Sequence, residues 1–341
     1  MTTATAPSLA PVSRRRLLRE LLGTALGPFL GLAAVVLIFT VADALWGQGR
    51  FATPNNARLM LVQSATVGIA ALGMTIVIIS GGIDLSAGTA MALSAVVLAW
   101  VLKEDYGAGF AITAALLTGA TVGLINGALI SALRVVPFIV TLGTMTIYLG
   151  VAKIIAENGI VRPAPEQVPA WLEGLLVSRP EPEWLLVGSG VWLLLILAVA
   201  VAAMLRYTVF GRRVFAIGSS EPTARLCGVN VPAVRIAVYT LAGLFVGMAG
   251  VYQFSRLVSG NPTSGTGKEL QIIAAVVIGG GSLSGGRGSV VGTLAGAMIM
   301  QVIASGCTAL NLPNPIQEII IGTIIVAAVT LDQFRQRRLT T

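Results

Sequence analysis

Apolar residues run through this chain in blocks of about 20, the length that carries a helix across the hydrocarbon core of a bilayer. The blocks fall near 21–45, 57–80, 85–102, 109–132, 137–156, 184–205, 234–256, 269–281, 288–310 and 316–333. The pattern predicts an all-α, polytopic transmembrane bundle of about ten spans. The eighth block is too short for a full crossing unless it extends into the glycines that follow, so a re-entrant or broken helix is the alternative there. The polar interruptions divide the chain into a tail (1–20), a membrane domain (21–335) and a second tail (336–341).

The distribution of positive charge orients the bundle. With the first residues inside, most of the 22 Lys and Arg fall on the cytoplasmic side, including Arg14, Arg15 and Arg16, the arginines of 206–235, and Arg335, Arg337 and Arg338. Both termini are therefore expected in the cytoplasm. The Arg-bearing start resembles a signal peptide, but the apolar stretch after it is long enough to span and is read as a retained first helix. "PAPEQVPAWLEGLLVSRPEPE" reads as part of an external loop, 157–183, with a short amphipathic helix around Trp171. Residues 206–235 form the longest cytoplasmic segment.

One interruption is unusual: "IVIISGGIDLSAGTAMAL", residues 76–93, places two glycines, an aspartate and a serine between apolar runs. Span counting puts "GGIDLSAG" at the cytoplasmic turn between the second and third spans. Gly81 and Gly82 permit a tight turn. Asp84 is placed to cap the next helix through the free amide of Ser86 or Ala87, where a negative charge also suits the positive helix end. A role in transmitting conformational change is the competing reading, since polar groups in membrane segments are expensive and often functional. "GGGSLSGG" (279–286) repeats the pattern on the same expected face.

Composition removes several function classes. The chain is 55% hydrophobic and only 11% charged, against about 25% charged for a soluble domain. Its net charge of +8 comes without the basic, aromatic-interleaved stripe that nucleic acid binding requires, so no nucleic acid partner is expected. There is no histidine, and Cys227 and Cys307 are far apart. No metal site, cofactor or catalytic set is therefore expected. "GNPTSGTGKEL" (260–270) imitates the end of a phosphate loop but fails it: Pro262 replaces the first glycine and Glu269 sits where a hydroxyl is needed. Gly288, Gly292 and Gly296 recur at fourfold spacing, as in close helix packing. Polar residues inside spans are few. Asn126, Thr141, Thr144, Gln271 and Gln301 are the candidates for lining a solute path, which is expected to be weak and mostly smooth.

Within 206–235, Ser220 can cap a helix, Glu221 and Pro222 suit its first turn, and Gly228 stops it about two turns later. Such a short solvated helix, flanked by arginines, could serve as a handle for a cytoplasmic partner. "GGIDLSAG", "PFIVTLGTM" (137–145), "FGRRVFAIGSSEPTARLCGVNV" (210–231) and "IIAAVVIGGGSLSGGRGSVVGTLAGA" (272–297) together resemble the permease subunits of ATP-binding-cassette importers for ribose and related monosaccharides. The likeness spans roughly residues 50–335.

The resemblance implies a subunit that performs no chemistry. It would pair as a homodimer or with a related permease in a bacterial inner membrane, receive sugar from a periplasmic binding protein, and be driven by a separate ATPase. The ATPase would grip a coupling helix from Ser220 to Gly228, with Glu221, Ala224 and Arg225 at the contact. Pro222 departs from the family pattern. The rival reading is an ion-coupled secondary transporter, for which Glu318, just inside the last span, is the one acidic residue placed to serve.

Overall fold

The computed structural model describes residues 14–180 and 185–340. It is helical, and among the described residues only an isolated bridge, Val161 to Gly260, has β pairing. The principal helices are α1 (Arg14–Trp46), α2 (Pro54–Ile79), α3 (Ala87–Lys103), α4 (Ala108–Leu133) and α5 (Pro137–Ile155). After the loop helix α6 (Ala170–Glu173) come α7 (Ser189–Tyr207), α8 (Val209–Ser219), α9 (Glu221–Leu226), α10 (Val231–Leu257), α11 (Lys268–Ile278), α12 (Val290–Ala309) and α13 (Asn314–Thr340). Every one of the ten expected segments carries a helix. Seven described helices are long and apolar enough to cross a bilayer, while α3 (17 residues) and α11 (11 residues) fall short. The first and last helices also run into the segments expected as tails.

Local chemistry sets the helix starts. Thr53, Asn230 and Ser289 accept the amides of Asn56, Ala233 and Gly292, so α2, α10 and α12 each begin on a side-chain cap. Pro54 and Pro232 sit in the first turns, where a missing N–H costs nothing.

Small residues set the packing. A bilayer offers no hydrophobic drive between helices, so association depends on close backbone approach. On α4, Gly119, Gly123 and Gly127 stand in fourfold register against Gly243, Gly247, Ile236 and Tyr239 of α10; a methyl group at Gly123 would fall on the Tyr239 carbonyl oxygen. α4 and α10 form the most extensive helix pair. Gly292 and Gly296 meet the backbone of Gly279 and Ala275 on α11, whereas Gly288 precedes α12 and packs on Ile79.

Helix directions follow from bonds at the two ends of each pair. α12 runs antiparallel to α2: Thr293 bonds Thr75 at 2.8 Å near one end and Ser305 bonds Asn56 at 2.9 Å near the other. The end carrying 206–235 is the proximal face; the opposite, distal face carries the 157–180 loop, tied down by Gln167 to the Lys103 carbonyl and by Ser255 to the Glu173 carbonyl. Trp171 is exposed on that loop and Leu172 is buried beneath it.

Two crossings are broken, each made of a non-helical segment and a short helix: 83–86 with α3, and 260–267 with α11. Residues 260–267 descend beside α3, with Gly260 against Val96 and Gly265 against Gly88, so the N-termini of α3 and α11 meet inside the bundle. α3 then leads distally and α11 proximally. Glu269 is buried at this meeting point; one carboxylate oxygen accepts the Gly267 amide at 3.1 Å and the other abuts Gly88. A carboxylate there suits two converging positive helix ends. The segment that imitates a phosphate loop thus descends partly buried into the bundle beside α3, with Gly260, Gly265 and Glu269 buried and Thr263 and Thr266 exposed.

Candidate functional site

Three features stand one above another from the proximal face toward the distal one. The first is the loop system of 206–235. Thr208 caps α8, an amphipathic helix, by accepting the Gly211 amide at 3.1 Å. Its buried positions Gly211, Val214 and Ile217 recur every three residues, the spacing that would have revealed it. α9 follows at once. Ser220 caps it through the Thr223 amide, Glu221 bonds Arg225 at 2.8 Å and Arg235 at 2.7 Å, and Gly228 turns the chain at φ +80°.

The outward face of α9 differs from expectation. Ala224 is only 4% exposed; it packs inward and its carbonyl accepts the Val229 amide at 3.0 Å. Leu226, 89% exposed, is the apolar side chain presented outward, beside Arg225. A partner approaching α9 would meet Leu226, not Ala224.

The second feature is a glycine junction on which α8 and α9 rest. The two Gly-Gly loops converge here: the Gly286 amide donates to the Ile79 carbonyl at 2.9 Å, and Gly218 sits so tightly against Ile79 and Gly286 that a Cβ there would strike the Ile79 carbonyl oxygen. Gly81 and Gly285 flank it, both at positive φ. A cleft of about 230 Å³ lined by Gly82, Gly218, Glu221, Arg235 and Tyr239 leads inward from this point.

Past the junction the chain does not stay at the surface. Ile83 to Ser86 turn back into the bundle, and Asp84 is 4% exposed. Span counting puts all of "GGIDLSAG" at the turn between the second and third spans; Gly81 and Gly82 lie in that proximal turn, whereas Asp84 lies inside the bundle. Non-helical backbone at such depth needs internal partners, and neighbouring helices supply them. Thr141 of α5 accepts the Leu85 amide at 3.2 Å, and Tyr239 of α10 donates to the Ile83 carbonyl at 3.3 Å. Asp84 itself accepts the Ser86 amide at 2.8 Å and the Ser86 hydroxyl at 2.6 Å. The chain continues through Asn126, which donates to Ser86 at 2.8 Å, and Tyr148, which donates to Asn126 at 3.0 Å.

The third feature is a cavity of about 470 Å³ between α2, α10, α11 and α12. Its mouth is at the distal loops, marked by Gln48 and Asn311, and it reaches Val67 and Ala297, a depth of about 20 Å at 1.5 Å per helical residue. Gln271 and Gln301 line it. Gln301 bonds Gln63 at 2.6 Å and Lys268 bonds Gln271 at 3.1 Å. Beneath the floor, the buried Thr75 and Thr293 pair separates the cavity from the glycine junction.

The five residues singled out as path-lining therefore divide. Gln271 and Gln301 face the cavity, while Asn126, Thr141 and Thr144 are buried in or beside the Asp84 network. Asn56, Gln63, Arg256 and Lys268 belong to the cavity wall and were not foreseen. The wall mixes polar and apolar side chains in similar measure, with Leu59, Met60, Val67 and Met300 beside the amides and cations.

A polytopic helical bundle, with seven described helices long and apolar enough to cross a bilayer and a cavity open at its distal end, is the architecture of a multi-pass membrane protein. The chain belongs to the family of branched-chain amino acid transport system / permease components, whose model matches residues 56–329. It is 37% identical to the ribose import permease protein of Escherichia coli strain K12 over 89% of this chain and 93% of that one. It is likewise 37% identical to the ribose import permease protein of Bacillus subtilis strain 168 over 90% and 92%, and 34% identical to the fructose import permease protein of Rhizobium meliloti over 88% and 84%. No solved structure matches the chain.

Proposed function

We propose that this chain is the membrane-spanning permease subunit of an ATP-binding-cassette importer in a bacterial inner membrane, moving a monosaccharide from a periplasmic binding protein to the cytoplasm. Both termini and residues 206–235 face the cytoplasm, and two permease chains pair around the path. The observation that carries this reading is the position of α9. A capped six-residue helix with an exposed leucine stands on the glycine junction where the two Gly-Gly loops meet.

A helix that short has no stability of its own, and its exposed Leu226 is suited to a partner's apolar pocket. Force applied to α9 reaches Gly218 directly, then the Gly81 and Gly286 loops, and through them the ends of α2 and α12. Those helices also line the cavity. A separate ATPase gripping α9 could thus change the bundle without touching the solute.

The reading is tested by uptake in cells expressing the importer. Uptake of a monosaccharide should stop on ATP depletion and survive an uncoupler. Uptake that collapses with the uncoupler while ATP is maintained would replace this reading with ion-coupled transport.

A further inference from the structure

The cavity wall has a chemical bias. Lys268 can only donate, so its bond to Gln271 at 3.1 Å consumes an amide oxygen and leaves the Gln271 NH2 group free for a ligand. In the Gln63 and Gln301 pair, 2.6 Å apart, one amide accepts and the other donates; whichever way they are assigned, the accepting residue keeps both of its N–H donors. Arg50 and Arg256 add donors and charge, and Arg256 and Lys268 are close enough to feel each other electrostatically. None of the described residues lining the cavity is acidic. Glu269, next to Lys268 in sequence, faces Gly88 instead.

Three cations on the wall, with the nearby carboxylates of Asp43 and Glu269 buried behind it on backbone amides, leave a positive field inside, and field lines focus in a cleft with low-dielectric walls. Surplus donors suit a ligand rich in oxygen lone pairs. Given that the cavity belongs to a solute path, as the permease reading holds, we propose that it selects by charge. It takes polyhydroxylated ligands that carry a carboxylate in preference to neutral sugars of the same size, and it rejects ligands that carry an ammonium group.

The test uses the full chain in lipid nanodiscs, with Cys227→Ser, Cys307→Ala and a single reporter, Ser305→Cys, on the cavity wall. Its reaction rate is measured with two thiosulfonate reagents of similar size, one bearing a sulfonate and one a trimethylammonium group. The sulfonate reagent should react about tenfold faster or more, since an opposite charge within several Å is worth at least that in a medium of intermediate dielectric. The ratio should fall toward one after Lys268→Gln. Glucuronate should then slow labelling more than glucose at equal concentration, and glucosamine should not slow it.

Equal or reversed reagent rates would overturn the proposal, as would glucuronate protecting no better than glucose, or glucosamine protecting as well as glucuronate. Thr308→Cys, also on the wall, replaces the reporter if Ser305→Cys folds poorly. The readout involves no ATP and no second protein, so failure here leaves the importer reading standing, and failure of ATP-driven uptake leaves the charge preference separately measurable.

Discussion

Asp84 uses a single carboxylate oxygen for both bonds to Ser86, which makes its replacement by the isosteric amide informative. Asparagine keeps that oxygen, so Asp84→Asn should leave thermal stability in detergent almost unchanged. Asp84→Ala strands the Ser86 amide and hydroxyl in a buried site and should cost about 1–3 kcal/mol. Tyr148→Phe should cost about 1 kcal/mol by removing the bond to Asn126. Combined with Asp84→Ala it should be less than additive, because the two side chains belong to one chain of hydrogen bonds. A large stability loss in Asp84→Asn would show that the second carboxylate oxygen or the charge itself is required. The residue types here were legible in the sequence, and so was the Asp84 bond to the Ser86 amide; the cap was not, since Ser86 is the N-cap of α3 and no side chain bonds the helix amides there. The depth of these residues was not legible, because counting spans assumes that every interruption of an apolar run reaches the surface, whereas Ile83 to Ser86 are solvated by Thr141 and Tyr239 from other helices.

Helices of different length were legible to different degrees. All ten apolar segments announced themselves through length and hydropathy, and the eighth was already marked as too short to cross alone; its completion by the descending 260–267 segment depends on contacts with α3 that no local pattern encodes. α9 gave its caps but not its faces, since six residues are too few to define a periodic stripe; the resemblance alone puts Ala224 at the contact, and its burial removes it from there. The correction yields a prediction. Leu226→Glu should leave the purified chain at normal yield and stability and abolish co-purification with the ATPase, because the side chain is 89% exposed. Ala224→Glu should instead lower the yield of folded protein by burying an unpaired charge. Arg225→Glu should have a small effect, since an exposed pair is worth only about 0–1 kcal/mol. Normal co-purification of Leu226→Glu would remove α9 as the grip. Gly123→Leu should separate α4 from α10, because the added side chain starts on the Tyr239 carbonyl; a loss of stability of several kcal/mol, or no folded protein, is expected in thermal unfolding.

Across the whole molecule, the proximal glycine junction and the distal cavity are joined by α2 and α12, so one pair of helices touches both the proposed point of force and the proposed path. The orientation this requires can be checked by thiol labelling of intact cells in a cysteine-free background. A cysteine at Ser219 should resist an impermeant reagent, and one at Gln167, on the distal loop, should react; the opposite pattern would invert the bundle. A glycine junction that carries force from α9 to the cavity must be sensitive to a single added methyl group. Gly218→Ala tests it most directly, because the added methyl would strike the Ile79 carbonyl and press on Gly286. The measurement is ATP-driven monosaccharide uptake by the reconstituted importer, with ATPase co-purification and ATP hydrolysis recorded on the same preparation. The variant should fold, retain its ATPase and hydrolyse ATP while uptake falls at least about tenfold, the loss expected when a packed two-state element is shifted by more than about 1.4 kcal/mol. Uptake at the unmodified rate in that folded, ATPase-bound variant would contradict this role of the junction.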